Sequence, residues 1–171
     1  MDSRQIDSIL QNEQTLNNIN YLGVFASDKI PREAIHTYPC CAVVNTMPHK
    51  DPGMHWVCFA KDRHNNGVYF DSYGYPPLKL KSVKTILDTC NYWDYNNKQI
   101  QTLFSTVCGQ YCIFFLSHYA KGFSLPHILE LLNDAGDTYS NDAFVFNYIG
   151  NKYRQELHNT NKLYIADDSF W

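Results

Sequence analysis

The chain has 171 residues, enough for one domain spanning 1–171 to bury a sizeable core without cross-links. Hydrophobic content of 44% and aromatic content of 15% mark an ordered globular protein, and a formal net charge of −3 excludes a global basic footprint for nucleic acid. No apolar run reaches the roughly 18 residues of a membrane span, and the polar start MDSRQIDSILQNEQ lacks the apolar core of a secretory signal, so the six Cys are expected as reduced thiols of an intracellular, non-secreted protein.

In chain order, residues 4–18 have the spacing of an amphipathic helix, with Ile6, Ile9, Leu10 and Leu16 on its apolar side. YLGVFASDKIP (21–31) reads as irregular and ends at Pro31. CCAVVNT (40–46) is short, apolar and β-branched, which suits a buried strand. A loop marked by Pro48, Pro52 and Gly53 leads to two further strands, HWVCFAK (55–61) and GVYFDSY (67–73), joined through the turn-rich DRHNN. Pro76 and Pro77 end that hairpin, since two prolines cannot pair in a sheet interior. Residues 78–90 have helical spacing at Leu80, Val83, Ile86 and Leu87. NYWDYNN (91–97) follows as a loop or strand edge, and QIQTLF (99–104) as a strand. A buried helix is predicted over about 107–120, with Gly122 just past its end, and two more over 125–134 and about 140–158. There is no repeat, linker or low-complexity segment, so the pattern predicts a single α+β domain.

The stretch CGQYCIFFL (108–116) poses the chemical question. Ser105 and Thr106 are favoured N-cap types and set Cys108 in the first turn of the buried helix. Residues 108 and 112 then share a face with Cβ atoms roughly 5–6 Å apart, wider than the about 3.8 Å of a disulfide. A structural zinc site needs a second ligand pair, and none has suitable spacing: Cys40 and Cys41 are adjacent and the seven His are scattered. Cys112, inside the apolar run, reads as a buried thiol. Cys108 differs, because a helix N-terminus favours a thiolate through its aligned dipoles and unpaired N–H groups. Gly109 behind it removes a side chain and leaves room for a substrate.

A cysteine nucleophile needs a base, a group that orients the base, and oxyanion donors. His55 opens a strand straight after the Pro52–Gly53 turn, at a sheet end rather than in mid-core. His64 sits in a turn, His36 and His49 in loops, and His118, His127 and His158 on helices as packing or solvated residues. Asp71 ends the partner strand. A two-residue turn at Asn66–Gly67 would set Asp71 opposite Asp62, whereas a wider hairpin centred near Arg63 sets it opposite His55, and the wider one is predicted. The alternative for Asp71 is a turn cap with Ser72. A side-chain amide from Gln101 or Gln99 would supply an oxyanion donor, and chemistry alone does not choose between them.

With His55-Trp56, Asp71, Gln101 and Cys108-Gly109 in that order, the sequence resembles the adenovirus maturation protease (adenain) family, especially the versions carried by Polinton/Maverick elements and adintovirus-like DNA viruses. The stretches YLGVFASDKIP, YPCCAVVNT, PGMHWVCFA, FDSYGYPP and CGQYCIFFL carry the likeness over about residues 20–120. It implies a thiol endopeptidase of adenain-like fold, a mixed central sheet with the nucleophile at the N-terminus of a buried helix. In that fold His55 is base, Asp71 its partner, Cys108 nucleophile and Gln101, in preference to Gln99, oxyanion donor. Relatives accept small residues, often glycines, through a narrow aromatic-walled cleft, and by that likeness Trp56 forms part of the wall.

The resemblance also implies protein substrates, namely capsid or core precursors of a virus or transposon, cut during maturation in the host nucleus or cytoplasm or inside the virion. A monomer is expected, with no cofactor needed for the chemistry. Some members bind an activating viral peptide through a disulfide to a cysteine upstream of the nucleophile; Cys90 occupies a comparable place, and a half-buried thiol at a helix end is the plainer reading. DNA activation is not expected of this acidic chain, whose single basic cluster is Lys79, Lys81 and Lys84 on one helix. Two other functions share these residues or this fold: a deconjugase for SUMO-like or ubiquitin-like proteins, and an inactive capsid-binding relative.

Overall fold

A computed structural model describes residues 1–133 and 136–159 of the chain. Among the described residues five strands form one mixed sheet in the order β1-β2-β3-β4-β5: β1 Asn20–Ala26, β2 Cys40–Asn45, β3 Trp56–Lys61, β4 Asn66–Phe70 and β5 Tyr92–Tyr95. The central pairs β2–β3 and β3–β4 are antiparallel, and the outer pairs β1–β2 and β4–β5 are parallel. Among the described residues the helices of eight residues or more are α1 Ser3–Asn12, α2 Lys81–Asp88, α3 Cys108–Ala120, α4 Leu125–Asn133 and α5 Thr138–Lys152. The class is α+β, as expected.

β2 is buried at all of its residues because both faces of the sheet are covered. Successive side chains point to opposite faces, so Cys41 and Val43 join Cys58, Ala60 and Phe70 in one core with α1, α3, α4 and α5. Cys40, Ala42 and Val44 join Val57, Phe59 and Tyr69 in a second core beneath α2. Strand alternation therefore sends the neighbours Cys40 and Cys41 into different cores. α3 has little amphipathic character because it is enclosed all round, and Cys108 to His118 are all buried. Phe70 of the sheet stacks on Phe115 of α3, with ring centroids 4.5 Å apart.

Four local expectations are corrected. The first helix stops at Asn12 and continues as a 3-10 turn over Gln14–Asn18. YLGVFA is a strand: Gly23, at φ +123, carries a register shift between Tyr21 and Val24, and that irregularity hides the alternation. QIQTLF forms no strand; the backbone N–H groups of Ile100 and Gln101 both donate to the Ser72 carbonyl, at 2.9 and 3.1 Å. The last predicted helix, about 140–158, runs over Thr138–Lys152 and is broken at Tyr153 before a short helical stretch at 154–159. The predicted end of α4 at residue 134 lies outside the described residues.

Candidate active site

Three elements converge where β3 begins, β4 ends and α3 starts. α3 begins at Cys108, and its N-cap is Val107, without a side-chain cap hydrogen bond. Neither Ser105 nor Thr106 serves as the expected cap: they lie two residues and one residue before Val107 and line a cleft beside Cys108 instead. No side-chain oxygen therefore caps the first turn of α3, and the Gly109 N–H bonds the Cys108 sulfur.

His55 precedes β3. Its Nε2 lies 2.7 Å from Asp71 Oδ1, leaving Nδ1 for the Cys108 thiol. The hairpin register is close to the expected one but not identical. Cys58 pairs with Phe70 and Lys61 with Gly67, centring the turn on His64 rather than Arg63. Continued, that register sets Asp71 across from Val57, two residues beyond His55. The contact is made because both residues have left the ladder: β3 starts at Trp56 and β4 ends at Phe70.

Asp71 also receives the Tyr73 N–H on Oδ1 at 2.8 Å, so it caps the turn and holds the imidazole at once. Asn96, just past β5, clamps the Asp71 backbone from both sides: Oδ1 accepts the Asp71 N–H at 2.9 Å and Nδ2 donates to the Asp71 carbonyl. The Tyr73 ring stacks on His55 at 4.5 Å and 26°.

The electrostatics follow from this packing. Burial alone raises the Cys108 thiol, but hydrogen bonds to the sulfur from His55 and from the Trp56 and Gly109 backbone N–H groups outweigh it, and the pKa falls below the ordinary thiol value. For His55, burial disfavours the imidazolium, yet hydrogen bonds to Asp71 and Cys108 win and raise it to about 9. Opposite shifts on a contacting pair favour thiolate with imidazolium. Cys112 goes the other way: full burial raises its thiol well above the usual value, and it hydrogen-bonds Cys58. All six Cys are free.

The other predicted residues divide. Trp56 lines the Cys108 cleft and donates from Nε1 to the Met1 carbonyl at 3.3 Å. The missing side chain of Gly109 does not open the cleft as expected: a Cβ there would meet Ile6 Cδ1 at 2.9 Å and Met1 Cβ at 3.4 Å. That glycine lets α1 pack on α3, and its backbone N–H serves the sulfur. Gln101 is fully buried; its Oε1 accepts from Ser72 Oγ at 2.6 Å, and Nε2 donates to the Ser105 carbonyl at 3.1 Å and Ser105 Oγ at 3.0 Å. Gln99 is exposed and donates to the Gln101 carbonyl at 2.8 Å, so it reinforces the segment from outside. Cys90 is half-buried after α2, beside Gly67 and Leu87 and away from the cleft. Among the described residues no three His, Cys, Asp or Glu side chains are grouped to hold a metal ion.

Sequence reasoning missed Tyr73, Asn96 and Asp142. Asp142 of α5 accepts from the Thr102 N–H (3.2 Å) and hydroxyl (2.6 Å) on one oxygen and from Tyr111 Oη (2.9 Å) on the other. It thereby ties the segment between Gln101 and Cys108 to the helix that carries the cysteine. Tyr73 was legible in principle, two residues beyond Asp71; Asp142 was not, because a lone acid on a distant helix carries no local pattern.

The adenovirus endoprotease family model matches residues 21–133, well over half of the chain. The chain belongs to the adenovirus endoprotease family. The match includes every residue just described except Met1, Ile6 and Asp142. Among family proteases, that of bovine adenovirus C serotype 10 is 29% identical over 95 residues, covering 47% of this chain and 48% of the relative. That of human adenovirus A serotype 12 is 27% identical over 111 residues, covering 56% and 53%. The chain thus spans about half the length of the curated relatives it matches. The crystal structure of the ASFV pS273R protease shares the fold, with a TM-score of 0.56 at 17% identity over 75% of this chain and 60% of that one.

Proposed function

We propose that this family member is a thiol endopeptidase in which Cys108 is the nucleophile, His55 the base, Asp71 the group that orients it, and Gln101 an oxyanion donor. The observation that carries the reading is the placement of His55 between Asp71, at 2.7 Å, and Cys108 at the start of α3. The Cys108 thiolate attacks the scissile carbonyl carbon. The oxyanion forms near the N-terminus of α3, where the first backbone N–H groups have no intrahelical partner. Collapse expels the amine, which takes its proton from the His55 imidazolium. Water then hydrolyses the thioester, with His55 as base. Direct donation by Gln101 requires Nε2 to give up one of its two bonds to Ser105, whose own place on the cleft makes that exchange short-ranged.

Viral capsid or core precursors cut beside small residues are the proposed substrates, within the host cell or virion. Wild type and Cys108→Ala are to be incubated with a panel of Gly-containing precursor peptides and with an electrophilic ubiquitin-like probe. Thiol-dependent peptide cleavage without probe labelling is the expected result. Labelling of Cys108 by the probe would instead identify a deconjugase, and turnover of neither would favour a binding module or a need for an activating peptide.

A further inference from the structure

We propose that an apolar pocket on the His55 side of the site binds a bulky apolar side chain of the substrate just C-terminal to the scissile bond. Two clefts flank the Cys108–His55 pair. The one that reaches Cys108 is about 290 Å³ and includes Trp56, Tyr73 and Ser105. The other, about 600 Å³, reaches His55 and Asp71 but not Cys108, and its wall is formed by Met47, Met54, Tyr69, Tyr75, Leu78 and Leu80. Met54 lines both, so an extended peptide can run from one to the other across the reacting pair.

Direction follows from the chemistry, and rests on the peptidase reading above. The acyl half becomes bonded to Cys108 and stays in the first cleft, while the amine half takes its proton from His55 and departs past it. The larger pocket therefore faces the leaving half. Its rim leaves Met54 76%, Tyr75 63% and Leu78 67% exposed, an apolar patch continuous with the site. The one charged group on the rim besides the catalytic pair is Lys79. A pocket of this size and lining suits an aliphatic or aromatic side chain.

The test uses peptides with a common Gly-containing acyl half and Phe, Leu, Ala, Lys or Asp at the first three positions after the scissile bond. Their binding to the Cys108→Ala protein is read by fluorescence anisotropy and their cleavage by wild type as kcat/KM. Binding of Phe or Leu peptides at least about tenfold tighter than Asp or Lys peptides is expected, with that ratio falling to about threefold or less in Leu78→Glu and in Tyr75→Glu, two exposed positions. A flat binding profile, a preference for Asp captured by Lys79, or a ratio unchanged in both variants would overturn the pocket. The peptidase reading stands or falls separately: apolar-selective binding without thiol-dependent cleavage of any peptide would sink that reading and keep the pocket.

Discussion

The Cys108–His55 pair owes its electrostatic character to two residues whose net shifts run in opposite directions despite the same burial. His55 keeps its proton to about 9 because Asp71 and the Cys108 sulfur both bond the imidazole, and the thiol is lowered by the reciprocal contact. Alkylation of Cys108 by iodoacetamide should therefore remain fast below the ordinary thiol range, and His55→Ala should slow it by about tenfold or more near pH 7. A wild-type rate that follows a free thiol would refute this. The kcat/KM profile should lose activity on its alkaline side near 9 as His55 deprotonates. For stability the sign is set by His55: its raised pKa contributes fully below the ordinary 6.5 and is lost as pH rises through about 9. Cys108, lowered, contributes above the ordinary 9 and loses its contribution as pH falls through its folded value. Asp71→Asn should reduce kcat by on the order of 10²–10⁴ while leaving the fold intact, since an amide cannot stabilise the imidazolium. Cys112→Ser should retain turnover and cost about 1–3 kcal/mol in urea unfolding, because it puts a stronger polar group in a fully buried place.

At the scale of elements, α3 is positioned by what packs on it rather than by its own capping. Gly109 admits Ile6 of α1 at a distance no side chain would tolerate. Gly109→Ala should cost about 1–3 kcal/mol, and adding Ile6→Val, which shortens the clashing branch, should recover part of that loss in the same unfolding measurement. An additive double mutant would show that the clash is not the cause. On the other flank Asp142 joins the Thr102 segment to Tyr111. Asp142→Asn should lower kcat more than it raises KM, because it loosens the segment carrying Gln101 without touching the clefts. A change confined to KM would contradict that role.

Over the whole molecule, Glu13 links the two ends of the described fold. Lys152 Nζ donates to its Oε2 at 2.7 Å, and the buried Tyr153 hydroxyl donates to the same oxygen. Burial raises the Glu13 carboxyl, but these bonds and those from Thr15 dominate and hold it at about 2 against an ordinary 4.5. Its contribution is present above 4.5 and is lost as pH falls through about 2. Glu13→Ala should cost about 1–3 kcal/mol at neutral pH by stranding the Tyr153 hydroxyl, and the penalty should shrink in acid; a penalty independent of pH would show that Glu13 acts through packing alone.

What the sequence by itself determined was the set of candidate groups and their order along the chain. The apolar run after Cys108, the turn before His55 and the prolines after Asp71 are local signals, and local signals survive without tertiary context. The three buried strands β2, β3 and β4 and α3 were legible for the same reason, since a segment enclosed on both faces reads as a largely apolar run. Only the tertiary structure decided the rest. The strand at Asn20–Ala26 was concealed by a bulge, and 99–104 is held open by bonds to Ser72 that no periodicity encodes. The hairpin register fell one residue from the predicted centre, because the turn is chosen by which residue closes on Asp62, not by composition. The absent side chain at Gly109, the Asn96 clamp and the Asp142 brace all join residues far apart in sequence. Such contacts are fixed by how the layers pack, so a chain read one window at a time holds the candidate groups but not the supports that position them.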